Sequence, residues 1–158
     1  SIVPQYQWFH VALVKYSAVS AKVFVNGKVV ITDTTPFNSL SSRALAIGGE
    51  LTASITGQNA TPGSNDGYFN GQITNFRIVK GTAVYDPTSS TITVPTAPFT
   101  TDANTVFLIG ASNSYTQDAS GNNRNLSSGG NNWTTTRLSP FNITTPYDTA
   151  VNGGSGYS

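Results

Sequence analysis

The dipeptide Asn26-Gly27 lies between two β-branched runs, KVFV and KVVI, and it constrains the fold more than any other feature of the chain. Both residues accept the positive φ of a type I′ turn, whose twist matches that of two antiparallel strands. Residues 22–31 therefore read as a β-hairpin. Residues 7–14 (QWFHVALV) are a near-continuous apolar run, short and rich in aromatic and β-branched side chains, and read as a buried strand. Further short strands are expected at 43–49 (RALAIGG), 105–109 (TVFLI) and 132–137 (NWTTTR, around Trp133).

The longest patterned stretch is GYFNGQITNFRIVKG, residues 67–81. Its apolar residues fall at Phe69 and Ile73 and then at Phe76 and Ile78, so the parity switches between Ile73 and Phe76. A pleated strand alternates faces with period 2, so keeping both sets on one face predicts a bulge near Thr74-Asn75. Thr35-Pro36 with the polar stretch after it, residues 52–66, Asp86-Pro87 and residues 118–125 (DASGNNRN) carry loop and turn chemistry. No segment sustains a 3.6-residue period. Seven or eight short strands separated by turns predict an all-β fold, an antiparallel β-sandwich. Its expected core is Phe9, Val11, Val23, Val25, Phe69, Ile73, Phe76 and Leu108. Residues 1–139 form this domain, and 140–158, which lack periodicity, read as an extended linker or tail.

Composition narrows the chemistry. Cysteine is absent, which excludes disulfide frameworks, thiolate metal sites and cysteine nucleophiles. A single histidine, His10, cannot furnish paired imidazoles for zinc. Charged residues are 9% of the chain and the net charge is +1. Lys15, Lys22, Lys28, Arg43, Lys80, Arg124 and Arg137 are scattered, so no basic patch suited to nucleic acid is legible. No apolar run approaches the roughly 18 residues of a membrane span. The chain starts at Ser1 and has no methionine, and it reads as processed or as part of something longer.

The blocks WFHVALV (8–14), KVFVNGKVV (22–30), LAIGG (45–49) and FNGQITNFRIVKGTAVY (69–85), followed by VPTAPFTTDANTVFLI (94–109) and DASGNN (118–123), resemble the laminin-G-like, concanavalin A-like jelly-roll modules. The likeness is to versions found in bacteriophage tail, fibre and other virion proteins, and it covers roughly residues 8–141. In such modules the Trp-x-His-Val-Ala strand lies near the middle, whereas here almost nothing precedes it. The resemblance therefore implies either a compact sandwich closed by these 158 residues alone or the later part of a full module. In the second case the missing strands come from an upstream segment or from a neighbouring chain. Half a sandwich would leave its inner apolar face wet.

Several residues invite a sharper reading. His10 alternates with Trp8 and Ala12 and reads as a hydrogen-bonded strand histidine rather than a catalytic imidazole. Glycosidases of the concanavalin-like fold need two carboxylates. This chain has one glutamate, Glu50, and no two acidic residues close in sequence. Asp66 with Asn65 and Asn70, and Asp118 with Ser120 and Asn122, are oxygen-rich turns that calcium could use. Each offers one carboxylate, where calcium wants six to eight oxygens, and Asp and Asn also close turns through their own backbone. Trp133, Tyr115, Tyr147 and Tyr157 are aromatic candidates for stacking on sugars, and equally ordinary core and edge fillers. The ligand-binding candidates are thus Asp66, Asn70, Asp118, Asn122 and Trp133, with no catalytic or metal residue assigned and calcium the one cofactor left open.

The expected function is that of a non-enzymatic structural and adhesive module at a virion surface or tail fibre, or otherwise extracellular. It would work by packing against copies of itself as a homo-oligomer, or against other virion proteins, with room for weak binding of cell-surface glycans. It is not expected to bind nucleic acid or to insert in a membrane. The alternative is a lectin-type carbohydrate-binding domain of a secreted or cell-surface bacterial protein.

Overall fold

The structure is a computed structural model, and it describes residues 3–17, 20–34, 45, 47–48, 69–111, 116–124, 126 and 139–141. The expected strand at 132–137 lies outside these residues. Among the described residues the only regular elements are five strands: β1 (Val11–Ser17), β2 (Ser20–Val25), β3 (Lys28–Asp33), β4 (Phe76–Val79) and β5 (Thr105–Ile109). They form two antiparallel sheets, one ordered β1-β2-β3 and one pairing β4 with β5. The fold is all-β.

The hairpin forms where the Asn-Gly signal placed it. Asn26 and Gly27 take φ of 46° and 80°, the two positive values of a type I′ turn. Phe24 pairs with Val29 and Val23 with Ile31, so Val30 is an extra residue whose bulge tightens the twist next to the turn. The turn also grips the chain ahead of β1. Asn26 N–H donates to the His10 carbonyl at 2.9 Å, and His10 N–H donates to Asn26 Oδ1 at 2.9 Å.

β1 begins four residues later than the apolar run that announced it, and the opposite parity faces inward. Ala12 and Val14 are buried whereas Val11 is exposed. Ala12 stands opposite Phe24, which is fully buried. Val29, Tyr85 and Ile92 pack against these three. Burying a side chain of the size of Phe24 is worth roughly 1.5–3 kcal/mol. Of the expected core, Val25 and Leu108 are buried, Phe9, Val23 and Phe76 are half-buried, and Val11, Phe69 and Ile73 are exposed.

The segment between β4 and β5 ties the sheets together. Val29 N–H donates to the Ser90 carbonyl and Ile92 N–H to the Gly27 carbonyl, at 3.0 and 2.8 Å, flanking a bridge between Lys28 and Thr91. The Lys22 ammonium donates to the carbonyls of Thr88 and Ser89 at 3.0 and 2.9 Å. Farther along, Phe99 lies under the Arg77 guanidinium, 4.2 Å from the ring centroid, and Phe99 N–H donates to Asn75 Oδ1 at 3.0 Å.

The strand expected over 67–81 is regular only at Phe76–Val79. No strand bulge forms at Thr74-Asn75. Asn75 instead turns into the left-handed region, at φ 51°, and the register irregularity falls between Ile78 and Val79. Gly110, at φ 69°, lies so close to this corner that a Cβ would come within 2.9 Å of Asn75 N. Of the expected strand at 43–49, the described residues Leu45, Ile47 and Gly48 are not in a strand, and the rest lie outside the described residues.

Gly27 has the same kind of constraint: a Cβ there would stand 2.6 Å from the Ile92 carbonyl oxygen. Gly27→Ala is expected to lower the unfolding free energy by about 1–3 kcal/mol from backbone strain alone, and to loosen residues 90–92. Urea denaturation checks this, and an unchanged midpoint would contradict it.

Candidate functional site

Of the five candidate binding residues, Asp118 and Asn122 are brought together by one loop, Asn70 is exposed elsewhere, and Asp66 and Trp133 lie outside the described residues. The loop exists because Asp118 organises it. Asp118 Oδ1 accepts from Leu108 N–H at 3.0 Å and Ser120 N–H at 2.9 Å. Oδ2 accepts from the Ser120 hydroxyl at 2.8 Å and Arg124 N–H at 3.1 Å. Ala119 N–H donates to the Leu108 carbonyl at 2.8 Å, so the loop lies along the edge of β5. The Val106 carbonyl collects Asn122 Nδ2 at 3.2 Å and Arg124 Nη1 at 2.7 Å. Gly121 and Asn123, both at positive φ, turn the chain between these anchors.

Burial of Asp118 works to raise its pKa, but the hydrogen bonds from Ser120, Leu108 and Arg124 outweigh it and hold the carboxyl below its ordinary 3.8. The loop is thus built by turn chemistry, with N–H and O–H donors arrayed around a buried carboxylate. Among the described residues no three of His, Asp and Glu gather into a group able to hold a metal ion.

His10 occupies the other end of the first sheet. Its ring meets Tyr85 edge-on, centroids 6.0 Å apart and planes at 76°, with Tyr85 Oη 3.5 Å from Nε2, the outer limit of a hydrogen bond. Burial pulls its pKa below 6.5. His10 therefore sits at the rim of the core just ahead of β1, which starts one residue later, rather than within a strand as the sequence led one to expect.

The surface feature that the sequence reading did not single out is the second face of the first sheet. The register sets Val11 opposite Val25, Leu13 opposite Val23, and Val23 opposite Ile31. These five residues share one face. Val25 is buried and Val23 half-buried, but Val11, Leu13 and Ile31 are 53%, 63% and 54% exposed. A sheet apolar on both faces has a signal in the sequence: Val11, Ala12, Leu13 and Val14 are apolar at both parities, which a half-buried strand does not need.

Comparison with protein-family models, with curated proteins and with solved structures finds no match for this chain.

Asp118→Ala would leave the buried Leu108 N–H without its acceptor, at a cost of about 1–3 kcal/mol. The wild-type contribution of Asp118 is complete above pH 3.8 and fades as pH falls through the lower folded value. Acid denaturation curves of wild type and Asp118→Asn should therefore converge at low pH. Calcium at millimolar concentration should leave the melting temperature unchanged, and a rise abolished by Asp118→Asn would assign the loop to the ion instead.

Proposed function

We propose that this chain is a non-enzymatic structural and adhesive module of a virion surface or tail-fibre-like protein, in which the two antiparallel sheets belong to a concanavalin A-like jelly-roll sandwich. The observation that carries this reading is the exposure of Val11, Leu13 and Ile31 on one face of the first sheet. The order of sequence blocks, which resembles such modules, supports the setting.

The partner to which the reading commits is another copy of this chain. A two-fold contact places the same patch on both sides, and Val11, Leu13, Val23, Val25 and Ile31 carry no charge that would repel its own copy. With a net charge of only +1, long-range repulsion between copies is weak as well. The apolar area removed from water would favour association at roughly 25 cal/mol per Å² before the costs of ordering are met. Weak adhesion to glycans would be a further use of the Asn- and Ser-rich loops.

Sedimentation velocity on the chain over a concentration series tests this. Wild type should associate reversibly, whereas Leu13→Glu should remain monomeric with an unchanged far-UV spectrum, since exposed positions alter stability by about 0.5 kcal/mol or less. A monomeric wild type at all concentrations, or association insensitive to Leu13→Glu, would defeat the reading. Specific micromolar binding on a glycan array would replace it with the lectin alternative.

A further inference from the structure

His10 is the only histidine of the chain, and the structure gives it an unusual pair of surroundings. Its backbone is gripped on both sides by Asn26, which fixes the Cα that carries the ring beside the hairpin turn. The ring in turn holds Tyr85, and Tyr85 together with Ile92 covers Ala12, Val14 and Phe24. Nε2 faces the Tyr85 hydroxyl, but Nδ1 is buried with no hydrogen-bond partner.

A neutral imidazole tolerates that arrangement, because the proton sits on Nε2 and Nδ1 keeps only a lone pair. The imidazolium does not, since both nitrogens then carry N–H donors. Its Nδ1–H would be a buried donor with no acceptor, on a ring bearing a positive charge.

The groups on the elements around the ring offer that charge little relief. From the hairpin turn comes Asn26, which is neutral, followed by Lys28. From β2 comes Lys22, whose ammonium is held by the Thr88 and Ser89 carbonyls. From the segment after β4 come Tyr85 and Asp86. The Asp86 Oδ1 is occupied by Thr88 N–H and hydroxyl at 2.8 and 2.7 Å. The charge of Arg77 acts on the Tyr85 phenol, and its sign opposes a cation beside it. From β1 itself comes Lys15. Among the described residues, burial is the influence that acts on the ring, with no charged group countering it.

We propose that the His10–Tyr85 contact is an acid-released clasp: protonation of His10 detaches the segment around Tyr85 and Ile92 from the first sheet and uncovers the face formed by Ala12, Val14 and Phe24. Burial depresses the basicity of His10 in the closed form, so the closed form is fully favoured above about pH 6.5, the ordinary histidine value. Its advantage declines as pH falls through the window below 6.5, where the open form takes up the proton first, and levels off beneath the closed-form value.

A lone histidine makes the test direct, because its ring proton resonances titrate without competition from another imidazole. Wild type should titrate with a midpoint below 6.5. After correction for intrinsic rates, amide hydrogen exchange at residues 85–92 should be faster at pH 5 than at pH 7.5. Exchange within β5, anchored by Asp118 rather than by His10, should not change between the two pH values. His10→Phe keeps an aromatic ring against Tyr85 and removes the proton, and should show equal protection at both pH values; His10→Gln serves the same purpose if the Phe variant does not fold. A midpoint at or above 6.5, unchanged exchange at 85–92, equal acceleration throughout β5, or the same acceleration in the His10 variants would each overturn the clasp.

Discussion

The rest of the described structure hangs on the backbone pairing between the hairpin turn and the segment that follows β4. Gly27 and Val29 supply a carbonyl and an N–H to Ile92 and Ser90, and the approach is so close that position 27 has no room for a side chain. Without that pairing Tyr85 and Ile92 would not cover Phe24, and the inward face of the first sheet would meet water. A three-stranded sheet is near the lower limit of what is stable by itself, and packing against a further layer is what secures it. The same residue that provides the turn's positive φ thus also provides the close contact. Turn geometry and core closure are therefore not separable at Gly27.

A second regularity explains how a chain so poor in charge still uses its acids. Asp86, Asp102 and Asp118 each accept a hydrogen bond from the backbone N–H two residues ahead: Thr88, Asn104 and Ser120. Each also accepts from a nearby hydroxyl, that of Thr88, Thr105 or Ser120. In all three these hydrogen bonds hold the carboxyl below its ordinary value. Side chains elsewhere spent on ion pairs here close turns, which suits a fold made mostly of connections. The cation side follows the same economy: Lys22, Arg77 and Arg124 all donate to backbone carbonyls.

What was legible in the sequence is what local chemistry alone decides. Asn26-Gly27 needs no tertiary context to favour a primed turn, TVFLI occupies β5 residue for residue, and the Asp-x-Ser spacing at 118–120 closes its own turn. Parity is a different matter. From Val11 to Val14 the positions are apolar at both parities, so the pattern cannot say which set turns inward. The answer comes from Phe24, the bulkiest side chain of β2, whose face Ala12 and Val14 must share. The stretch 67–81 misled for a related reason. Its change of parity marks a real corner at Asn75, but the corner is a left-handed residue held by its own side chain to Phe99, not an extra residue in a continuing ladder. Of the binding candidates, Asp118 and Asn122 fall in one turn, as their spacing placed them, whereas the extent of the exposed face of the first sheet, hinted at by residues 11–14, is set by the register of three strands.

That face bears on how the two apolar sides of one sheet divide the work. One side is closed by Tyr85 and Ile92 through contacts that include a titratable ring; the other presents Val11, Leu13 and Ile31 outward. Both sides share the central strand β2, on which Phe24 points one way and Val23 and Val25 the other. A contact on the outer side would stiffen β2 and its pairing with β1 and β3, and through them the platform on which Phe24, Ala12 and Val14 sit. Release on the inner side would loosen the same platform from behind. Because the two faces are linked through one strand, any partner on the outer face that prefers the ordered sheet must also favour the closed inner face, by the reciprocity of linked equilibria. On the reading proposed for this chain, assembly and the His10–Tyr85 contact would therefore reinforce one another, and acid would weaken both.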